Sequence, residues 1–299
     1  MCYVEDFIKY LKYEKRYSKH TVISYQTDLT QFQDFLASKF NLDIHKTTST
    51  HVREWIFFLH EKGLSARSIN RKITSIKVFF KFLIKQSTVT INPATNIPSV
   101  KVEKKLPEFV DEKDIDTLFD KILSDTSDNY SLLRDKAMLL TFYYTGMRLS
   151  ELINIKKYDI DFHNQTIKVL GKRNKERHIP ITKKFANFLK FFLSETEKKF
   201  NFTHKYNYYI FLTDKGNKAY PKFVYRKVNN YLSNITTLHK RSPHILRHTF
   251  ATHMLNRGAD LNAIKEILGH ANLAATQIYT HNTIEKLKKA YNKSHPRSD

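Results

Sequence analysis

The chain has 299 residues, 41% apolar and 27% charged, which is an ordinary globular composition; it excludes disorder and collagen-like structure and allows two domains with separate cores. One cysteine, Cys2, excludes an internal disulfide framework and a Cys-based zinc cluster, and with no run of 18 apolar residues and no signal-peptide pattern the expectation is a cytoplasmic protein without a membrane span. Lys+Arg 51 against Asp+Glu 29 gives a net charge of +22, and the excess lies on both parts of the chain: the first 104 residues hold 17 basic and 9 acidic side chains, the remainder 34 and 20. Such a field attracts polyanions, nucleic acid first among them.

Only 6 Gly and 7 Pro punctuate the chain, which favours helices. The first hundred residues carry four helical patterns. In the second, Val22, Tyr25, Leu29, Phe32 and Leu36 recur at gaps of 3, 4, 3 and 4, behind an N-cap at Ser18. A third runs from about Thr50 to Lys62 and stops at Gly63. The fourth holds Ile69, Ile73, Ile76, Phe80 and Leu83 after a Ser65 cap, with Arg67, Arg71, Lys72 and Lys77 on its polar side. These predict a helical bundle with a basic face over residues 1–91. Residues 92–108 contain Pro93, Pro98 and Pro107 and little periodicity, so they predict an extended linker. A second domain, 109–299, opens with helices at about 111–124 and 129–145. A hairpin follows: Thr166–Leu170, the turn GKRNKER, then His178–Ile181. Helices resume at about 182–199 and 221–235 and continue with turns at Gly258 and Gly269. The fold class is mainly α with a small antiparallel β-sheet.

The polar residues of the second domain carry the chemistry. In TGMRLSEL, Arg148 stands at a helix start with Glu151 one turn on, where it is either an i,i+3 partner of Arg148 or part of a site. The hairpin turn holds Lys172 beside Arg173. In SPHILRHTFATHMLN, His244 and Arg247 share a helix face; imidazole moves a proton and guanidinium grips two phosphate oxygens at once. His244 and His248 also have the i,i+4 spacing of a metal pair, but there is no HExxH pattern and no thiol besides Cys2, so no metal is expected. His270 follows an apolar helix ending LGH, and Tyr279 follows nine residues later in ATQIYTH. Spacing alone does not choose Tyr279 over Tyr143 or Tyr231 among the 17 tyrosines.

Taken in order, TGMRLSEL, the Lys172 hairpin, SPHILRHTFATHMLNRGADL, IKEILGHANL and TQIYTH resemble the tyrosine recombinases of the lambda-integrase superfamily, and most closely their Xer branch. Six polar positions recur in the family's order over 132 residues, and the four-helix segment and the length match too. The resemblance implies a two-domain clamp: an N-terminal core-binding domain and a mixed α/β catalytic domain. It implies metal-free and ATP-free transfer of a DNA phosphodiester to Tyr279, leaving a 3′-phosphotyrosyl link and a free 5′-hydroxyl. Arg148 and Arg247 would hold the non-bridging oxygens. His244 would act as acid–base group beside the tyrosine, His270 would donate to a phosphate oxygen, and Lys172 would protonate the leaving oxygen. Glu151 would brace the site.

The same resemblance implies partners and no cofactor. The partners are double-stranded DNA at a dif-like site, a homotetramer or a heterotetramer with a paralogous recombinase, and a DNA translocase resembling FtsK. DNA contacts are expected from Arg67, Arg71, Lys72, Lys77 and Arg173. The segment Thr283–Tyr291 forms an amphipathic helix that docks either on a neighbouring subunit or on its own domain. Two other functions share most of these residues: an integrase of a mobile element, and a non-catalytic DNA-binding partner subunit.

Overall fold

The computed structural model describes residues 3–102, 108–124, 129–171, 175–202, 208–236, 238, 241–269 and 290–297. It divides into two compact units, Met1–Lys105 and Leu106–Asp299.

The first unit is helical. It contains α1 (Tyr3–Lys9), which runs into a π-helical turn at Tyr10–Glu14, then α2 (Lys19–Phe40), α3 (Ser49–Glu61) and α4 (Ala66–Lys85). The hydroxyls of Ser18 and Ser65 accept the amides of Thr21 and Ser68 and so cap α2 and α4. The predicted stripes of α2 and α4 are buried, apart from the half-buried Tyr25, and close on Trp55 of α3, which packs 4.7 Å from Phe32 between ring centroids.

Two expectations change here. The segment 92–102 is not a free linker: Ala94 and Ile97 are buried in the first core. Asn70 holds the Val100 backbone from both sides, at 2.8 and 2.7 Å, and Lys77 donates to the Ile97 carbonyl at 2.9 Å. Proline forbids helix in this stretch but not packing, because side-chain amides satisfy the irregular backbone. Lys72 is likewise not part of a basic face. It is buried and donates to Asp28 at 3.0 Å and to Gln31, while Arg71 donates to Ser24 at 2.8 Å and to Asp28. Arg67 stays exposed, and Lys77 is half-buried.

The second unit is built around α6 (Tyr130–Thr145); residues 137–145 of it, and 146–147 just beyond its end, are buried without a break. That burial follows from a run, AMLLTFYYT, that is apolar on all sides. Helices α8 (Lys183–Phe200) and α10 (Pro243–Asn256) pack on it. The unit also contains α5 (Glu112–Ser124), α7 (Leu149–Leu152), α9 (Pro221–Ser233) and α11 (Leu261–Leu268). The predicted hairpin is present as β2 (Thr166–Leu170) and β3 (Glu176–Pro180), joined antiparallel with Val169 opposite Arg177 and Ile167 opposite Ile179. A third strand, β1 (Ile160–Asp161), pairs antiparallel with β2. At two residues it is too short to show alternation in sequence.

Of the C-terminal helix predicted over Thr283–Tyr291, residues 283–289 lie outside the described residues. The part that is described packs on its own unit. Tyr291 is buried, and its hydroxyl donates to the Tyr144 carbonyl at 2.6 Å. Arg297 pairs with Asp116 and Asp120 at 3.3 and 3.2 Å. His295 stacks on Tyr144 at 4.5 Å; its Nε2 reaches the Tyr143 carbonyl at 3.4 Å and its Nδ1 accepts the Arg297 amide at 3.1 Å. One nitrogen donates and the other accepts, so the ring is neutral here.

Burial pushes the His295 pKa down to about 3, and the charges of Arg257, Arg297 and His253 add to it against the opposing Tyr143 bond. A histidine with a depressed pKa contributes stability in full above its unfolded value, about 6.5, and loses it as pH falls from there, by about 1.4 kcal/mol per pH unit. The expected result is that amide-exchange protection of residues 290–297, corrected for intrinsic rates, falls roughly tenfold per unit below pH 6. His295→Gln should flatten that slope. Equal protection at pH 7 and pH 5 in the unsubstituted chain would contradict it.

Candidate active site

Besides the α4 residues Arg67, Arg71, Lys72 and Lys77, four of the predicted site residues lie in the described structure: Arg148, Glu151, His244 and Arg247. Lys172, Arg173, His270 and Tyr279 lie outside the described residues.

The site begins where α6 ends. Gly146 takes a left-handed φ of +58°, and a Cβ there would stand 2.4 Å from Phe250 Cδ1. Only glycine fits this turn. The turn delivers Arg148 to the N-cap of α7. Its backbone N–H donates to Glu151 Oε2 at 2.8 Å and its Nη1 to Oε1 at 2.7 Å. Arg247 rises from the second turn of α10, 7% exposed, and donates to the Gly146 carbonyl and the Leu268 carbonyl, both at 2.7 Å. The glycine turn and the second arginine are therefore bonded to each other.

A third arginine joins them. Arg177, on the core-facing register of β3, donates Nη1 and Nη2 to the two oxygens of Glu151 at 2.9 and 2.8 Å. Its Nε donates to the Ile267 carbonyl at 2.7 Å. Arg148 Nη2 reaches the Gly269 carbonyl at 3.2 Å. Three successive carbonyls at the end of α11, those of Ile267, Leu268 and Gly269, are thus each held by a different arginine. The last carbonyls of a helix have no intrahelical partner and carry partial negative charge, so guanidinium groups suit them.

Glu151 is the one carboxylate bonded to this cluster among the described residues. Burial works to raise its pKa, but the bonds and charge of Arg177, then the bonds of Arg148, overcome it and hold the carboxyl below its usual range. Arg247 is pushed down to about 10, first by burial and then by the charges of Arg148 and Arg177 against the opposing Glu151. It remains protonated at neutral pH. Three cations against one anion leave a local excess that favours an anionic ligand.

His244, one turn before Arg247 on α10, is exposed, as is His248, one turn after His244. Burial, then the charges of His244 and Arg247, lowers the His248 pKa. Tyr143, a competing candidate nucleophile by sequence, is buried and bonded to His253 Nδ1 at 3.0 Å. Burial raises its pKa further above the ordinary tyrosine value, which disfavours the phenolate. Sequence reasoning missed Arg177. The available signal was register: two residues before Ile179, it shares that residue's inward face.

Comparison with known proteins agrees with this arrangement. Residues 108–286 match the model of the phage integrase family, and residues 4–87 match the phage integrase N-terminal SAM-like domain. The tyrosine recombinase XerC of Staphylococcus saprophyticus is 38% identical over 98% of this chain and 96% of its own length. That of Bacillus licheniformis is 38% identical over 98% and 95%. Among solved structures, the XerH site-specific recombinase bound to a palindromic difH substrate aligns with a TM-score of 0.72 at 22% identity, over 96% of this chain and 82% of that one. The Tn1549 transposon integrase in complex with transposon right-end DNA aligns with a TM-score of 0.72 at 20% identity, over 97% and 95%. These two show the shared fold. The resemblance drawn from the sequence motifs is borne out: this chain belongs to the phage integrase family and is a tyrosine recombinase of the Xer type, an enzyme that cuts and rejoins DNA at specific sites.

Proposed function

We propose that the chain resolves chromosome dimers in the cytoplasm at a dif-like site, by metal-free and ATP-free transfer of a DNA phosphodiester to Tyr279. The observation that supports it most is the arginine cluster at the end of α11. Arg148 and Arg247 approach each other across the Gly146 turn and retain N–H donors beyond those used on carbonyls and on Glu151. A bridging phosphate brings two non-bridging oxygens, and two guanidinium groups match them. Stabilising charge that grows on those oxygens is the main aid such a transfer needs. His244, exposed on the same face of α10 as Arg247, is the acid–base group beside the tyrosine. His270 donates to a phosphate oxygen, and Lys172 protonates the leaving 5′-oxygen.

The first unit serves as the core-binding domain and the second as the catalytic domain. Arg67 and Arg71 on α4, with Arg173 in the hairpin, contact the DNA backbone. The active form is a tetramer on two sites, of one chain or of this chain and a paralogous recombinase, with a DNA translocase as trigger. Relatives more than a third identical over nearly their full length carry the XerC name, and this favours the Xer role over a mobile-element integrase.

The test is covalent trapping. The full chain meets a nicked duplex carrying the host's dif-like site, in EDTA, and the products are denatured. A protein–DNA adduct that survives denaturation and maps by peptide mass spectrometry to Tyr279 is the expected result. Duplex binding without any adduct would make the chain a non-catalytic partner subunit. An adduct on another residue would overturn the assignment of Tyr279.

A further inference from the structure

Resting on that reading, we infer that Arg177 is a positioning residue for the transfer, coupling the hairpin, the Arg148 turn and the end of α11 into one rigid unit. Its place is costly for a charged group. The side chain is 5% exposed, and a guanidinium is tolerated there only where its donors are matched. They are matched by two different elements. The fork takes both oxygens of Glu151, and Nε takes the Ile267 carbonyl. It also lies under the turn that leaves α11: a Cβ on Gly269, which has φ +65°, would stand 3.2 Å from Arg177 Cδ, Nε and Nη1. The backbone of that turn therefore rests on the guanidinium, and the next residue in the chain is His270.

The sharing of Glu151 gives Arg177 its function. Each carboxylate oxygen accepts one bond from Arg177 and one from Arg148, whose backbone amide supplies one of the pair. Without Arg177 the carboxylate has half its donors and its full charge turns to Arg148. Arg148 is then drawn onto Glu151 and away from a phosphate, while the end of α11 loses one of its three anchors. Arg177 itself has its fork and Nε engaged inside the protein, so it does not hold the DNA. Its removal is therefore expected to slow the transfer while leaving binding nearly intact.

The experiment compares the unsubstituted chain with Arg177→Met, Arg177→Lys and the double variant Arg177→Met/Glu151→Leu in the nicked-duplex trapping assay, under single turnover. The affinity for the intact duplex and the thermal midpoint are measured in parallel. Arg177→Met is expected to lower the rate of adduct formation about 100-fold, the scale of a displacement near 1 Å at reacting groups, with the dissociation constant within about threefold. Arg177→Lys keeps the charge and loses the fork, and is expected to recover about tenfold of that loss. The double variant removes both buried charges, so its midpoint should return close to that of the parent while its cleavage stays slow.

Three results would overturn the inference. The first is cleavage by Arg177→Met within about threefold of the parent. The second is a double variant that regains the parent's rate along with its stability, which would reduce Arg177 to a stabilising role. The third is a loss that falls on affinity and not on rate. If the parent itself binds and forms no adduct, the proposed transfer to Tyr279 fails first, and the inference falls with it.

Discussion

Arg247→Lys is expected to slow adduct formation at least about 1000-fold, the scale on which a charge-stabilising arginine contributes to phosphoryl transfer. Binding to the duplex should change only a few-fold, because many backbone contacts share that energy. The reason lies in the bonds that Arg247 makes within the protein. It spans from the Gly146 carbonyl to the Leu268 carbonyl, 2.7 Å to each, and so fixes its own plane against both ends of the site. A lysine is a point charge on a flexible stem; it can reach one carbonyl but cannot bridge two and still present a planar pair of donors to a phosphate. The carbonyl left without a donor costs about 1–3 kcal/mol if it stays buried, so a lowered thermal midpoint should accompany the loss. Single-turnover trapping well below that midpoint separates the two effects. A decrease of less than tenfold there would remove Arg247 from the transfer.

Much of this was legible in the sequence, because the signals were local. The 3,4 stripes of α2 and α4, the serine caps and the alternation in the hairpin each depend on residues a few positions apart, and the structure has them where they were expected. The order of polar positions rests on a resemblance and not on packing, and of it the structure describes Arg148, His244 and Arg247. What sequence did not show depends on partners far along the chain. Arg177 finds Glu151 across 26 residues and Ile267 across 90. In sequence it is one more cation in the basic turn GKRNKER, and only strand register separates it from its neighbours. The triple capping of α11 is hidden for the same reason, because backbone carbonyls leave no mark on composition. Residues 92–102 were misjudged because proline content predicts the absence of helix and says nothing about whether Ala94 and Ile97 find a core.

Lys72 is the case with the largest consequence for stability. The pattern of α4 assigns a lysine to the surface, yet Asp28, 44 residues earlier, draws this one inside. Asp28 has 1% of its side chain exposed and accepts from Lys72 at 3.0 Å, from Ser75 at 2.8 Å and from Arg71. Lys72 also lies 5.7 Å from the Trp55 ring centroid. Asp28→Ala would leave the buried ammonium without its counter-charge, with Gln31 as its remaining acceptor, and the Ser75 hydroxyl with only the Arg71 carbonyl at 3.2 Å. Breaking a buried pair from one side costs about 3–5 kcal/mol, because the remaining charge is uncompensated. A domain typically has only about 5–15 kcal/mol in total, so this is a large fraction of the first unit's stability.

Trp55 is the one tryptophan in the chain and is buried in this unit, so its fluorescence reports the first unit's unfolding within the full-length protein. In urea, Asp28→Ala is expected to shift the tryptophan transition to lower denaturant by about 1.5–3 M, taking a slope near 1.5–2 kcal/mol per M for a unit of this size. The double variant Asp28→Leu/Lys72→Met removes both charges and replaces them with apolar bulk, and should recover most of the shift. If Asp28→Ala moves the transition by less than 0.5 M, as an order of magnitude, the pair is solvated and not the buried anchor of α2 on α4. If the double variant is as unstable as the single one, the loss comes from Arg71 and Ser75, and the weight of the network lies with them and not with Lys72.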